Sequence, residues 1–127
     1  MGKVVITKNT NPIQADLLWT NPNPTASSWA EQTITLNLKD YEWILIYGGR
    51  ASGAYSWNMI PKNLSMFIGG SYTSDYYYDM RPVKATDTGI AFSTCEAIRP
   101  SYDSAAWNRN DLYRPLKIYG IKKIKLE

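Results

Sequence analysis

Residues 33–38 alternate, with Thr33, Thr35 and Asn37 polar and Ile34, Leu36 and Leu38 apolar. A period of two puts one set on a wet face and the other on a packed face, which predicts a half-buried strand. Lys39-Asp40 turns the chain. Residues 41–47 then run Tyr-Glu-Trp-Ile-Leu-Ile-Tyr, with Glu42 the single charge. Loss of alternation predicts a central strand covered on both faces, ended by Gly48-Gly49. Alternation returns at residues 55–60, where Tyr55, Trp57 and Met59 share a face until Pro61-Lys62-Asn63 breaks the strand.

The same pattern extends in both directions. Val4-Val5-Ile6-Thr7 is a short β-branched strand closed by the turn residues Asn9-Thr10-Asn11-Pro12, and residues 16–19 predict a second. Asn21-Pro22-Asn23-Pro24 makes a corner. The polar stretch that follows predicts a loop whose Trp29 inserts its ring into the core. Ser28 and Glu31 have capping-box spacing, but no apolar period follows them. Residues 64–68 predict a strand ending at Gly69-Gly70, and residues 71–75 a polar loop. Residues 76–84 place Tyr76, Tyr78 and Met80 on one face and Tyr77, Asp79, Arg81 and Val83 on the other, with Pro82 implying an edge or a bulge. Thr86-Asp87-Thr88-Gly89 is a hairpin turn into a strand over residues 90–95, with Ile90, Phe92 and Thr94 inward. After an irregular stretch over residues 98–113, residues 116–121 form the last strand, bulged at Gly120. Eight or nine short strands with regular turn signals predict an all-β fold, an antiparallel, jelly-roll-like β-sandwich occupying residues 1–127 as one domain.

Composition narrows the class. A chain of 127 residues with 44% hydrophobic and 20% charged residues suits one soluble core. No apolar run approaches the roughly 18 residues of a membrane span, so no membrane partner is expected. The first residues have too short an apolar run for a secretory signal. Cys95 is the single cysteine, which excludes an internal disulfide framework and suits assembly in a reducing cytoplasm. The net charge is +3, densest at Lys122-Lys123-Ile124-Lys125. Solvated lysines on a terminal strand account for it, and no nucleic-acid partner is expected.

The chain has no histidine, so imidazole bases, triads and the commonest zinc ligand are missing. Cys95, without such a partner, is expected to be a buried small hydrophobe. No phosphate loop, nucleophile elbow or calcium loop is present. Asp75, Asp79, Glu96, Asp103 and Asp111 lie in or beside predicted loops and are the carboxylates from which a hydrolytic pair would come. No enzyme, cofactor or metal is expected. Ten Tyr and five Trp are the remaining candidate chemistry. Rings left outside a core stack on sugars or pack on proteins, and Trp57, Tyr77 and Trp107 are the candidate contact residues.

Three pieces carry a likeness: residues 17–24 (Leu-Leu-Trp-Thr-Asn-Pro-Asn-Pro) running through residues 32–38 to Tyr41; Gly89-Ile90-Ala91-Phe92; and the closing residues 115–122 (Pro-Leu-Lys-Ile-Tyr-Gly-Ile-Lys). On these the chain resembles small phage and prophage structural domains found alone or at the tips of tail-fibre or head-fibre proteins. The resemblance implies a non-enzymatic virion component, homotrimeric, that contacts a host-surface polymer or a neighbouring virion protein, with Trp19, Pro22, Pro24 and Tyr119 as scaffold. It implies location in the virion after synthesis in host cytoplasm. Two other readings remain: a monomeric carbohydrate-binding module using Trp57, Tyr77 or Trp107, and a small hydrolase using the loop carboxylates.

Overall fold

Apolar side chains at every second position can all be buried only if two sheets present one face each to a shared interior, and this is how the chain folds. The computed structural model describes residues 14–50, 53–72, 77–98 and 107–122, with the backbone alone for Ser71, Tyr72, Tyr77, Trp107 and Asn108. The predicted strand at residues 4–7 and its turn lie outside the described residues, as do Tyr76, Asp75, Asp103 and the lysines after Lys122.

Among the described residues every regular element is a strand: β1 (Ala15–Thr20), β2 (Gln32–Thr35), β3 (Tyr41–Gly49), β4 (Tyr55–Pro61), β5 (Ser65–Tyr72), β6 (Tyr77–Thr86), β7 (Gly89–Phe92), β8 (Glu96–Ile98), β9 (Trp107–Asn108) and β10 (Arg114–Lys122). They form two antiparallel sheets. Sheet A has the order β1-β10-β3-β4; sheet B has the order β2-β7-β6-β8-β9, with β5 on the other side of β6. The early strands β1 and β2 pair with the late strands β10 and β7, while β3–β4 and β5–β6 are hairpins between neighbours. The antiparallel β-sandwich is as the alternation predicts.

The core lies between the sheets. Ile44 and Ile46 of β3, Ile60 of β4 and Ile118 of β10 share one buried cluster with Ile34, Ile68, Val83, Ala85, Ile90 and Phe92 of sheet B. Each Ile, Val or Phe among them, fully buried, stabilises by roughly 1.5–3 kcal/mol. Trp29 enters this core from its loop, its ring edge-on to Phe92 at 4.9 Å, and its backbone N–H donates to the Asn110 carbonyl at 3.0 Å. The Asn-Pro-Asn-Pro corner is fastened to β10: the Asn21 side chain donates to the Pro115 carbonyl (2.9 Å), and Arg114 donates to the carbonyls of Pro24 (2.8 Å) and Ala26 (2.6 Å).

One polar group organises sheet B from inside. Arg81 is fully buried, and its guanidinium donates to the carbonyls of Tyr113 (2.9 Å), Ser93 (2.8 Å) and Trp29 (3.0 Å). Burial lowers its pKa from the usual value. It ties β6 to the Trp29 loop and to the segment entering β10.

Several expectations change. The run in β3 is central, as expected, but is not covered on both faces: Ile44 and Ile46 are buried while Trp43 is 40% exposed. The run hides an alternation because the outward positions are apolar too. β5 does not stop at Gly69-Gly70, because the ladder with β6 continues through both glycines and the Gly70 N–H donates to the Asp79 carboxylate at 2.7 Å. Pro82 sits in an interior strand rather than at an edge. Its missing N–H falls where the partner of β6 changes from β8 to β7, the same side on which its carbonyl accepts from Ser93 at 2.9 Å. That change also ends the strand expected over residues 90–95 at Phe92, leaving Thr94 half-buried and Cys95 buried in the link to β8, which starts at Glu96. Gly120 keeps regular register with Asp16 and Ile44, and the irregularities of β10 lie beside it, at Pro115/Lys117 and Ile121/Lys122. The glycine is required because a Cβ there would collide with the Tyr41 ring, whose hydroxyl donates to Asp16 at 2.8 Å.

Candidate functional site

The outward face of sheet A collects five of the eight large apolar side chains that stand exposed among the described residues. In register, Leu17, Tyr119, Leu45 and Met59 form a row crossing all four strands. Lys117, Tyr47 and Trp57 form the next row, and Ile121, Trp43 and Pro61 another. Period two makes all these positions face the same way. Leu17, Tyr55, Trp57 and Met59 are each about half exposed, at 52%, 48%, 55% and 56%.

Four of the rings form a ladder. Tyr47 lies between Tyr55 (centroids 5.5 Å apart) and Trp57 (4.5 Å), and Trp57 continues to Tyr119 at 5.7 Å, all at tilts of 32° to 42°. Such contacts orient the rings and leave their outer surfaces open. Lys117 is the one charged side chain within these rows, and its stem can lie along the rings with the ammonium at the margin.

The inner side of β4 is fastened across the sandwich. Ser56 and Asn58 point inward: Ser56 Oγ donates to the Gly69 carbonyl at 3.0 Å, and Asn58 Nδ2 donates to the Tyr113 hydroxyl at 3.2 Å. Burial is the main cause that pushes the Tyr113 phenol up to about 12. The edge strand β4 is thereby bound to sheet B as well as to β3. At one end of the face, an open groove of about 470 Å³ runs between residues 39–43 and 61–63. Its Lys62 donates to the Leu38 carbonyl (2.8 Å) and to Asp87 (2.7 Å), and that hydrogen bond holds the Asp87 carboxyl below its usual range.

The residues singled out in the sequence fall in different places. Trp57 is central to the aromatic face. Tyr77 and Trp107 are in β6 and β9 of sheet B, and their side chains lie outside the described residues. Tyr78, the third of its run with a described side chain, is 52% exposed on the outward side of sheet B, as is Phe67 at 65%. Asp79 is buried and faces inward, whereas Glu96 is paired with Met80 on the opposite parity, so the two carboxylates point to opposite sides of sheet B. Asp111 accepts from Nε and Nη2 of Arg109, at 2.8 Å each, which lowers its pKa. Cys95 is fully buried, and burial raises its thiol pKa. Among the described residues no three His, Cys, Asp or Glu side chains gather as a metal site would need.

Tyr47, Trp43, Leu17, Met59 and Tyr119 were not marked as contact residues by the sequence reading. The signal was present: an apolar run without alternation lies next to an alternating Tyr-Trp-Met stripe, and pairing the two strands puts the surplus apolar positions together.

No family model, curated protein or solved structure matches this chain. The bearing on function therefore comes from the aromatic face.

Proposed function

We propose that this chain is a non-enzymatic phage virion component, a tail-fibre, head-fibre or capsid-decoration domain, that works by holding another surface against the outward face of sheet A. The observation that carries the reading is the in-register aromatic face, whose outer side chains are about half exposed. Monomers seldom leave apolar patches of more than a few hundred Å² in water, and larger ones mark contact surfaces. The reading needs no cofactor and no nucleic acid. A neighbouring virion protein fits such a face better than a host-surface polymer. Sugars require several hydrogen-bonding groups converging around the stacking ring, while the two rows around Trp57 supply the hydroxyls of Tyr47 and Tyr119 and the Lys117 ammonium among the apolar Leu17, Leu45 and Met59.

The second reading, a monomeric carbohydrate-binding module, is favoured by a different feature. Trp43 borders the open groove beside Asp40, Glu42 and Asn63, a ring with polar groups within reach.

The deciding experiment is peptide mass spectrometry and immunoblotting of density-banded phage particles from a producing host. The expected result is this chain in fixed proportion to the known structural proteins. Its absence from particles, together with binding to host-wall polysaccharide that Trp43→Ala or Trp57→Ala abolishes, replaces the first reading with the second.

A further inference from the structure

We infer that the outward face of sheet A is covered by the same face of a second copy of this chain, forming a two-fold pair. This deepens the proposed role as an assembling component, and it rests on the reading of that face as a contact surface. The argument has three parts: area, chemistry and closure.

Five side chains on the face are 40–56% exposed. Three of the five are aromatic, each leaving on the order of 100 Å² open, and with Leu17, Met59 and the half-buried neighbours the face offers roughly 600 Å² per copy, or about 1,200 Å² for a pair. That reaches the lower end of stable, specific interfaces. The chemistry of the rows is apolar, with Lys117 their one charge, so the face carries no charge pattern that calls for an unlike partner. Its natural complement is another flat apolar sheet. Two sheets of the same twist can stack about 10 Å apart with strands within about 30°.

Closure decides between copies. The outward side of sheet B carries a smaller apolar stripe at Phe67, Pro82, Met80 and Tyr78. Joining sheet A of one copy to this stripe of the next would add copies without end, because the two outward faces of a sandwich look in opposite directions. Like on like closes after two. A pair formed in this way differs from the three-fold ring that the phage resemblance implies.

The test is light scattering on the full chain over a concentration series, with Trp57→Glu and Met59→Lys on the face and Phe67→Glu on the other side as control. Circular dichroism shows that each variant keeps the wild-type fold. The expected result is a particle of twice 14.4 kDa for wild type and for Phe67→Glu, with at least a tenfold weaker association for either face variant. A mass of 14.4 kDa at every concentration overturns the pairing and leaves the face to another segment or a different protein. A trimer, or loss of association in Phe67→Glu alone, overturns it too. None of these outcomes bears on whether the chain is found in purified particles, so the pairing and the virion reading fail separately.

Discussion

The two outward faces of the sandwich are built from similar strands and meet water differently. On sheet B, the β2–β7–β6 region presents Thr33, Thr35, Lys84, Thr88, Ala91 and Ser93, all exposed and mostly polar. On sheet A the corresponding surface is Trp43, Tyr55, Trp57, Met59 and Leu17. Each half-exposed ring there leaves on the order of 100 Å² unburied, worth about 2.5 kcal/mol if it were covered. The inward halves of both sheets determine the fold, and the outward halves differ in what they can hold. Substitutions should therefore sort by face: inward changes should cost stability, and changes on the outward face of sheet A should cost association.

The largest loss is expected inside sheet B. Arg81→Met removes the donor from two buried carbonyls, Trp29 and Tyr113, and from the Ser93 carbonyl. The cation that sits 5.2 Å from the centre of the Trp29 ring goes as well. An orphaned buried acceptor costs about 1–3 kcal/mol, so a loss of about 3–5 kcal/mol in urea unfolding is expected. A change below about 1 kcal/mol would mean that these carbonyls find other donors and that Arg81 does not organise sheet B.

Next comes Gly120→Ala, which tests whether the floor of sheet A needs bare backbone under Tyr41. The added methyl must displace that ring, and with it the hydroxyl bond to Asp16. Overpacking of this kind costs about 1–3 kcal/mol. The paired change Gly120→Ala with Tyr41→Ala should recover part of that loss, since the collision is gone. No recovery would place the cause in the backbone.

Tyr113→Phe is expected to cost about 1–2 kcal/mol at neutral pH, since the buried hydroxyl accepts from Asn58. It also carries a pH signature. The folded-state pKa of about 12 lies above the usual tyrosine value of about 10. Between those values the unfolded chain binds fewer protons than the folded one, so stability is full below about pH 10 and falls as pH rises toward 12. The variant should lose less stability than wild type across that interval, by up to about 2–3 kcal/mol. Identical alkaline profiles would mean that the phenol reaches water in the folded state. The Tyr41 phenol is shifted the same way, by burial first and then by Asp16, so some alkaline loss persists in the variant.

Much of this division was legible in the sequence. The alternation at residues 33–38, the Thr86–Gly89 hairpin and the inward Trp29 follow from period and turn chemistry, which act locally. What stayed hidden depends on long-range pairing. Pro82 and Gly69-Gly70 read as breaks because their own preferences are poor in a strand, yet the partner change along β6 and the room needed beside Asp79 accept them. Arg81 read as one of four residues on a strand face, and nothing local shows that three carbonyls from distant segments meet it. The aromatic site was half legible: Trp57 was singled out, but only the β3–β4 register places Tyr47 beside it and shows that the residue 43–47 run is apolar outward without a cover.

The smallest effect on the isolated fold is expected where the aromatic face is most open. Trp57→Thr keeps a residue suited to a strand and removes a ring that is 55% exposed. Its contacts with Tyr47 and Tyr119, at the low end of about 0.5 kcal/mol each for rings half in water, come to about 1 kcal/mol together, so in dilute solution its melting temperature should lie within a few degrees of wild type. Concentration separates the two proteins. If copies associate through this face, dissociation accompanies unfolding and the wild-type melting temperature rises with protein concentration. The variant's should be flat. A wild-type value independent of concentration would leave the face uncovered by another copy, and a dilute-solution loss of several kcal/mol in the variant would make Trp57 part of the fold's own support. Either result would remove the distinction between faces that hold the fold together and a face that holds something else.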